Sequence, residues 1–191
     1  MSEKTPTRIK ERPLIFVDLE FTGLQWKHEV IQIGCLVVSQ STPTGASGPD
    51  FKIIKEWETK IKAEHWDQAD PEALKIVGYT EERWKNAVSL RESLTTFNEI
   101  ARDGVLVGFN VAMDFLYLKK AYASVNMEPT FHWQIIDVLS MAFKDLYALP
   151  LTEYRMSELT THFKIKNDIH HDALEDARMT YELFMKLCLT S

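Results

Sequence analysis

Hydrophobic and polar positions along the chain predict a sheet that begins with a buried strand. Residues 14–24 read LIFVDLEFTGL, an apolar run interrupted by two acids and followed by a turn. Runs of this kind are typical of central strands that are covered on both faces. Two further strand-like stretches, EVIQIGCLVVS at 29–39 and FKIIKEWETKI at 51–61, follow in the sequence. Because their connections are short, we expect the first three strands to form an antiparallel meander.

Helical spacing of apolar residues dominates the remainder of the chain. A meander followed by alternating helices and strands predicts an α/β fold with a five-stranded sheet and helices on both faces. The polar residues 1–12 are expected to form a flexible leader, and residues 13–191 a single domain. Within this domain, residues 41–50 are expected to form the tip of a loop between two strands. The predicted helices cover residues 70–78, 90–101, 112–124, 139–147, 156–163 and 173–189, and the fourth and fifth strands cover residues 105–109 and 133–138.

Composition and charge narrow the class of protein. The chain has 191 residues, of which 45% are apolar and 26% charged, as in an ordinary globular domain. No apolar run of membrane-spanning length and no secretory signal is visible. Cys35 and Cys188 lie in apolar contexts that predict reduced thiols and a cytoplasmic location. The net charge of −6 argues against a protein that coats nucleic acid, but it is compatible with an enzyme that holds only a short end.

Two acids at the end of the first strand are the first candidates for chemistry. Side chains alternate faces along a strand, so Asp18 and Glu20 point to the same face. Like charges at this separation repel each other, and burial disfavours both ionised forms. A buried pair therefore needs a compensating cation, and a divalent metal ion is the simplest one. The alternative is that the strand has already left the core and that both carboxylates are solvated.

Asp114 and Asn110 lie where the fourth strand passes into the next helix. If the fourth strand pairs with the first, this junction brings Asp114 close to the end of the first strand. In the alternative interpretation, Asp114 only complements the helix dipole and Asn110 is the N-cap of the helix.

The last helix contributes a further acid and a histidine. Asp172 followed by Glu175 is an acidic version of a capping box, which makes Asp172 a good N-cap and puts Asp176 in the first turn. His171 then precedes the helix and can fold back over the point that Asp176 faces. The alternative for His171 is a capping or solvated loop residue, and His170 is a second candidate with a weaker claim.

Three motifs, taken in order, resemble those of the DEDDh family of 3′–5′ exonucleases. They are FVDLEFTGL at 16–24, GFN at 108–110 followed by Asp114, and H-x-A-x-x-D at 171–176. The resemblance extends over nearly the whole chain and implies an RNase H-like fold, in which the second strand runs antiparallel to the rest of the sheet. Phe109 is a departure, since many members have histidine there.

The resemblance also implies roles for individual residues. It assigns Asp18, Glu20, Asp114 and Asp176 to the binding of two divalent cations, and His171 to the general base. Mg²⁺ or Mn²⁺ suits oxygen ligands of this kind, whereas Zn²⁺ suits them poorly. The residues expected to bind substrate are Thr22, Gly23 and Leu24, with the leucine wedged at the last bases, and Asn110, which either touches substrate or holds the start of the helix.

Aromatic residues are candidates for stacking on bases. Phe21, Phe109 and Phe115 could stack on unpaired bases of a substrate, or they belong to the core. The tryptophans are expected to be packing residues, namely Trp26, Trp57, Trp66, Trp84 and Trp133.

The activity that the resemblance implies is hydrolysis from the 3′ ends of single-stranded DNA or RNA, with release of nucleoside 5′-monophosphates. It also suggests a DNA polymerase or another nucleic-acid-processing subunit as a partner, whereas the lack of a long apolar run predicts no membrane association and the oligomeric state stays open. Two alternatives stay open. One is an oligoribonuclease-like enzyme for short RNA, and the other is a catalytically silent exonuclease fold that serves as a scaffold subunit.

Overall fold

The computed structural model of the chain describes residues 8–41, 50–166 and 171–190. Most of the predicted leader, the predicted loop tip and His170 therefore lie outside the described residues. The last residues of the leader form a 3₁₀ turn at Ile9–Glu11. Gln40 Nε2 donates hydrogen bonds to the carbonyl oxygens of Ile9 and Arg12 at 2.7 and 2.8 Å. These bonds tie the segment before the first strand to the second strand.

The described residues contain one mixed sheet, whose strands are β1 Leu14–Phe21, β2 Val30–Ser41, β3 Asp50–Lys60, β4 Val105–Gly108 and β5 Ile135–Asp137. Their order across the sheet is β3-β2-β1-β4-β5. β2 runs antiparallel to β1 and β3, whereas β4 and β5 run parallel to β1. The prediction of a five-stranded sheet with an antiparallel second strand is confirmed, although β5 is shorter than predicted.

In the same described ranges, the helices are α1 Pro71–Val77, α2 Glu81–Trp84, α3 Leu90–Ile100, α4 Ala112–Ser124, α5 Val138–Asp145, α6 Met156–Phe163 and α7 Ala173–Thr190. The ends of α1 follow from local sequence, since the Asp70 carboxylate accepts a hydrogen bond from the backbone N–H of Glu72 and Gly78 ends the helix at φ 65°. The short α2 was not predicted, because one turn is too short for a periodic pattern. None of these helices has the length and apolar character needed to cross a bilayer.

Alternating side chains of β1 divide the core into two parts. Ile15, Val17 and Leu19 point to one face of the sheet and pack with α3 and α4. Leu14 and Phe16 point to the other face and pack with α5, α6 and α7. Helices therefore cover both faces of the sheet, as predicted. Asp18 and Glu20 continue the row of Leu14 and Phe16, so the alternation that buries the core also aims both acids at the face covered by α7.

The start of α7 lies directly on β2. Gly34 pairs with Asp18 across the β1–β2 ladder, and a Cβ atom at Gly34 would lie 2.2 Å from backbone atoms of both Ala173 and Leu174. Only a residue without a side chain allows the helix backbone to approach the strand so closely. This contact fixes the first turn of α7 beside the end of β1.

Replacing Gly34 by alanine should destabilise the protein, because the new methyl group meets backbone atoms rather than a flexible side chain. We expect the free energy of unfolding, measured by urea denaturation, to fall by about 1–3 kcal/mol, the usual cost of overpacking. Ser39→Ala on the same strand is the control and should change it by less than about 0.5 kcal/mol. Equal stabilities of Gly34→Ala and the wild type would show that α7 does not press on β2.

Candidate active site

The carboxyl end of β1 carries its two acids in different surroundings. Glu20 is buried, with 8% of its surface exposed, and Asp18 is partly buried. Glu20 pairs with the fully buried Gln32 across the β1–β2 ladder. Gln32 Nε2 donates to Asp172 Oδ2 at 3.2 Å and to Glu58 Oε2 at 3.3 Å. The alternative in which the strand has left the core and both acids are solvated is therefore wrong.

Asp114 reaches β1 from the neighbouring helix. The parallel pairing of β1 with β4 ends at Phe16 and Val107, so the next part of β1 has no strand on this side. Asp114 is buried in the first turn of α4, and the backbone N–H of Leu19 donates to its carboxylate. The side chain thus occupies the place beside β1 that β4 leaves open. Its predicted position near the end of the first strand is confirmed.

The start of α7 brings His171 and Asp176 to the same point. His171 has φ 60° in the turn that precedes the helix, and Asp176 lies in the first helical turn. The backbone N–H of Asp176 donates to the carbonyl oxygen of Asp172 at 2.9 Å, as expected at the start of a helix. Potential ligand atoms of Glu20, His171 and Asp176 all lie within 4.8 Å of one another. The prediction that His171 folds back over the point that Asp176 faces is confirmed.

Burial and mutual repulsion raise the pKa values of these carboxyl groups. Burial is the largest cause for Asp18. The charges of Asp114, Asp176 and Glu20 add to it, and together they hold the pKa of Asp18 well above its usual range. Burial, followed by the charges of Asp176 and Asp172, raises the pKa of Glu20 to about 8. Burial raises the pKa of Asp114 to about 8, although backbone hydrogen bonds oppose the shift.

This arrangement is suited to a hard divalent cation. A positive charge among the carboxylates would favour their ionised forms and remove the repulsion between them. Carboxylate oxygens are the ligands that Mg²⁺, Ca²⁺ and Mn²⁺ prefer. The acids come from β1, α4 and α7, so three separate elements bring carboxylates near one another.

An open cleft of about 510 Å³ is lined by two of these acids, Asp18 and Asp176. Binding pockets for small ligands have volumes of about 300–1,000 Å³, so the cleft has room for one nucleotide. Its walls come from the ends of β1 and β4, the start of α6 and the first turns of α7. The sequence offered no signal for the contribution of α6, because those residues show no motif. The residues that line the cleft are Asp18, Phe109, Arg155, Met156, Ser157, His171, Asp176 and Met179.

The turn after β1 is held in place by its own backbone and by neighbouring residues. Thr22 Oγ1 accepts a hydrogen bond from the backbone N–H of Glu29 at 2.9 Å, and the backbone N–H of Thr22 donates to the Glu29 carbonyl oxygen at 2.9 Å. Gly23 has φ 147°, and a Cβ atom there would lie 2.2 Å from Nδ1 of the buried His28. Leu24, at the tip of the turn, is 74% exposed. The turn is therefore a fixed support for one exposed apolar side chain.

Phe21 and Phe115 have partners inside the protein. The ring of Phe21 packs on Tyr117 with centroids 4.4 Å apart, and the ring of Phe115 packs on Phe131 with centroids 6.0 Å apart. Both side chains are partly buried and contact the core on the α4 face of the sheet. Of the three phenylalanines proposed to stack on bases, Phe109 is the one that lines the cleft. Stacking of Phe21 or Phe115 on substrate stays a prediction.

Asn110 shapes the backbone between β4 and α4. It has φ 58°, and its backbone N–H donates to Asp137 Oδ1 at 2.8 Å. The N-cap position of α4 is Val111, without a side-chain hydrogen bond, so the N-cap alternative for Asn110 is wrong. Sequence reasoning missed Asp137, whose charge also raises the pKa of Asp114. An acid near the carboxyl end of a predicted strand, as at Asp18, was the signal that could have found it.

The tryptophans divide into two groups. Trp84 is buried, and Trp57 and Trp66 are partly buried and pack against other rings. Trp26 and Trp133 are 66% and 74% exposed, so the prediction that all five are packing residues is wrong for these two. Both lie in connecting segments, where hydrophobic periodicity does not report burial.

Comparison with known sequences identifies relatives of this chain. The model of the RNase T family, described as exonuclease, matches residues 15–184. The DNA polymerase III PolC-type of Caldanaerobacter subterraneus subsp. tengcongensis is 28% identical over 178 residues, which are 93% of this chain. The chain spans only 12% of the length of that relative.

Solved structures share the fold. Exonuclease X in complex with 5′ overhanging duplex DNA has a TM-score of 0.65 at 19% identity, and the match covers 93% of this chain and 92% of that one. The nuclease domain of 3′hExo, a DEDDh family member bound to rAMP, has a TM-score of 0.72 at 14% identity, with 93% and 94% covered. The predicted RNase H-like fold is therefore confirmed.

Removing one charge from the acidic cluster should stabilise the metal-free protein at alkaline pH. Glu20 has a folded pKa of about 8 and an ordinary pKa of 4.5, so the folded state retains a proton that the unfolded state loses. Its contribution to stability therefore falls as the pH rises from about 4.5 to about 8. We expect Glu20→Gln in chelator to melt several degrees above the wild type at about pH 8.5, and close to it at about pH 5.

The control is Glu99→Gln, which changes an exposed acid on α3. It should follow the wild-type melting temperature at both pH values. If Glu20→Gln gave no greater gain at alkaline than at acid pH, the account of charge repulsion at Glu20 would be wrong.

Proposed function

The chain belongs to the DEDDh family of 3′–5′ exonucleases, and from this premise we propose that it is a divalent-metal-dependent enzyme that removes nucleotides from the 3′ ends of single-stranded DNA or RNA. The products would be nucleoside 5′-monophosphates. The observation that carries the proposal is that β1, α4 and α7 bring their acids close enough to raise the pKa of Asp18, while Asp18, Asp176 and His171 line one cleft. A protein that did not bind cations would gain stability by separating these acids.

Asp18, Glu20, Asp114 and Asp176 would hold two divalent cations, Mg²⁺ or Mn²⁺. When bound, such cations lower the pKa of the attacking water and stabilise negative charge on the attacking and leaving oxygens of the phosphodiester. The carboxyl groups of Asp18, Glu20 and Asp114 would in turn stay ionised at neutral pH, although burial alone raises their pKa values.

His171 would act as the general base. Its side chain is exposed at the cleft, and its potential ligand atoms lie within 4.8 Å of those of Glu20 and Asp176. A water molecule at the acids is therefore within reach of the imidazole. A neutral imidazole accepts a proton efficiently near neutral pH. The left-handed turn at His171 and the first turn of α7 hold the ring on this side of the cleft.

The turn Thr22, Gly23 and Leu24 would hold the terminal nucleotide. It begins two residues after Glu20, so a strand whose 3′ end enters the cleft would pass over it. The exposed Leu24 would lie against the last bases, a contact that unpaired bases can make and that a continuous duplex stack hinders. Phe109 would contribute an apolar wall where many other members have histidine.

Two finer questions about the substrate belong to this proposal. Similarity to the DNA polymerase III PolC-type favours DNA ends and work alongside a polymerase, with oligoribonuclease-like action on short RNA as the competing proposal. A catalytically silent scaffold is disfavoured, because such a protein has no physical reason to keep the charge cluster. A cytoplasmic location stays a prediction from the two cysteines, which are both unpaired.

Asp18→Asn and Asp176→Asn should each abolish metal-dependent hydrolysis while the fold is kept, because asparagine preserves size and removes the charge that holds a cation. The measurement is degradation of a 3′ single-stranded oligonucleotide in Mg²⁺ and in Mn²⁺, with circular dichroism as the test of folding. Asp67→Asn changes an exposed acid outside the cleft and should keep wild-type activity. Full activity in either cluster variant would refute the ligand assignment.

His171→Ala should lower kcat by about 10²–10⁴-fold, the usual contribution of a general base. The acid limb of the pH–rate profile should be lost as well, because no imidazole remains to be protonated. His162→Ala, an exposed histidine on α6, is the control. An unchanged pH–rate profile in His171→Ala would count against the base role.

A panel of labelled substrates separates the competing proposals. Single-stranded DNA, duplex DNA and single-stranded RNA are each incubated with Mg²⁺, Mn²⁺ or chelator. The proposal expects shortening from the 3′ end of the single strands and no reaction in chelator. A strong preference for RNA of a few nucleotides would support the oligoribonuclease-like enzyme, and binding without hydrolysis of any substrate would support the scaffold.

A further inference from the structure

We propose that Trp26 forms a stacking platform for an unpaired base upstream of the terminal nucleotide, beside the cleft and not within it. The inference rests on the proposed function, because the platform would bind the strand whose 3′ end occupies the cleft. Trp26 is 66% exposed and belongs to the connection between β1 and β2. Burying so large an aromatic surface against another ring is favourable, and base stacking on an aromatic residue contributes to binding regardless of sequence.

The connection that carries Trp26 is clamped to α4. Tyr117 Oη donates to the carbonyl oxygen of Gln25 at 2.9 Å. Lys120 Nζ donates to the carbonyl oxygen of His28 at 2.6 Å and also to that of Trp26. These bonds bracket Trp26 on both sides in sequence. The backbone under the tryptophan is therefore fixed, so stacking a base on it costs little conformational entropy.

The indole ring is also supported directly. Lys120 Nζ lies over the ring of Trp26, 5.3 Å from its centroid, and the Tyr117 ring centroid lies 6.3 Å away. The cation–π contact orients the ring, and most of its surface still faces solvent. An aromatic side chain that is held from one side and open on the other is suited to accept a flat partner.

Positive charge beside Trp26 indicates that the partner is a nucleic-acid strand. Lys27 is exposed next to the ring in sequence, and the Lys120 ammonium lies against the ring itself. Ammonium groups beside an exposed aromatic ring match the phosphates and bases of a single strand. Because Glu29 also acts on Lys120, the lysines would assist binding to the ring without forming a basic patch.

The position of the platform relative to the cleft follows from α4. Asp114 lies one turn before Tyr117 on this helix, and Lys120 lies one further turn along. With a rise of 1.5 Å per residue, Lys120 is about 9 Å along the helix axis from Asp114. The exposed Leu24 precedes Trp26 by two residues on the same clamped connection. A strand that leaves the cleft past Leu24 therefore has Trp26 as its next exposed apolar contact on this connection.

The test compares Trp26→Ala with Trp133→Ala on two substrates. Trp133 is 74% exposed and precedes β5, which runs parallel to β1, so it lies near the end of the sheet opposite the acids and serves as a matched control. The substrates are a single-stranded oligothymidylate of about ten nucleotides and the p-nitrophenyl ester of thymidine 5′-monophosphate, which has no upstream base. We expect Trp26→Ala to raise the KM for the oligonucleotide about 5- to 100-fold, as for the loss of one stacked base.

Hydrolysis of the p-nitrophenyl ester by Trp26→Ala should be unchanged, and Trp133→Ala should resemble the wild type on both substrates. Trp26→Phe should restore most of the affinity for the oligonucleotide. The inference is overturned if Trp26→Ala keeps the wild-type KM, if it slows both substrates equally, or if Trp133→Ala has the same effect.

If the protein is not a nuclease, the same experiment gives a result that differs from the failure of the platform alone. A wild type that hydrolyses neither substrate would refute the nuclease activity, and the platform is then tested by fluorescence anisotropy of a labelled oligothymidylate in chelator. Weaker binding by Trp26→Ala than by Trp133→Ala would support the platform without the enzyme. Equal binding by the two variants would overturn the proposed platform and would indicate that the exposed ring of Trp26 contacts a protein partner instead.

Discussion

Repulsion among partly and fully buried carboxylates is the constraint on which the rest of this structure depends. Asp18, Glu20 and Asp114 all have raised pKa values, and burial is the largest cause for each. Among the described residues, Arg83 opposes this repulsion at the edge of the cluster. Arg83 lowers the pKa of Glu20 as the smallest of its causes, and its guanidinium lies 3.9 Å from Asp172 Oδ2. The proposed cations would supply positive charge at the centre of the cluster.

The acids come together because two positions beside β1 and β2 are not filled by the sheet itself. β4 stops pairing before β1 ends, and Asp114 fills the gap. β2 has glycine at position 34, and the first turn of α7 fills that space. In both places a helix start approaches the end of β1, so the cluster is a product of strand lengths and of one missing side chain. Helix α4 also links the acidic cluster to the segment between β1 and β2, because Tyr117 and Lys120 donate hydrogen bonds to backbone carbonyl oxygens of that segment.

Much of the site could be predicted, because each part of it has a local signal. Strand alternation placed Asp18 and Glu20 on one face, and helix capping placed His171 outside the helix that begins near Asp176. One assumption about topology, that the fourth strand pairs with the first, was enough to bring Asp114 to the same point. These inferences needed periodicity and strand order, and no knowledge of side-chain packing.

What could not be predicted depends on contacts between segments distant in sequence. The α6 wall of the cleft and the exposure of Trp26 follow from how connections lie on the surface, which no periodic pattern encodes. The left-handed backbone at Asn110 follows from its bond to Asp137, 27 residues away. Trp26 and Trp84 are the same type of residue, yet Trp26 is exposed and Trp84 is buried. Residue type alone therefore does not predict whether a ring lies on the surface or in the core.

The most direct measurement of the central claim is anomalous diffraction from a crystal soaked in Mn²⁺. The account predicts ions among the carboxylates of Asp18, Glu20, Asp114 and Asp176, with those side chains converging on them. Carboxylates turned away from one another, with no anomalous density between them, would contradict it.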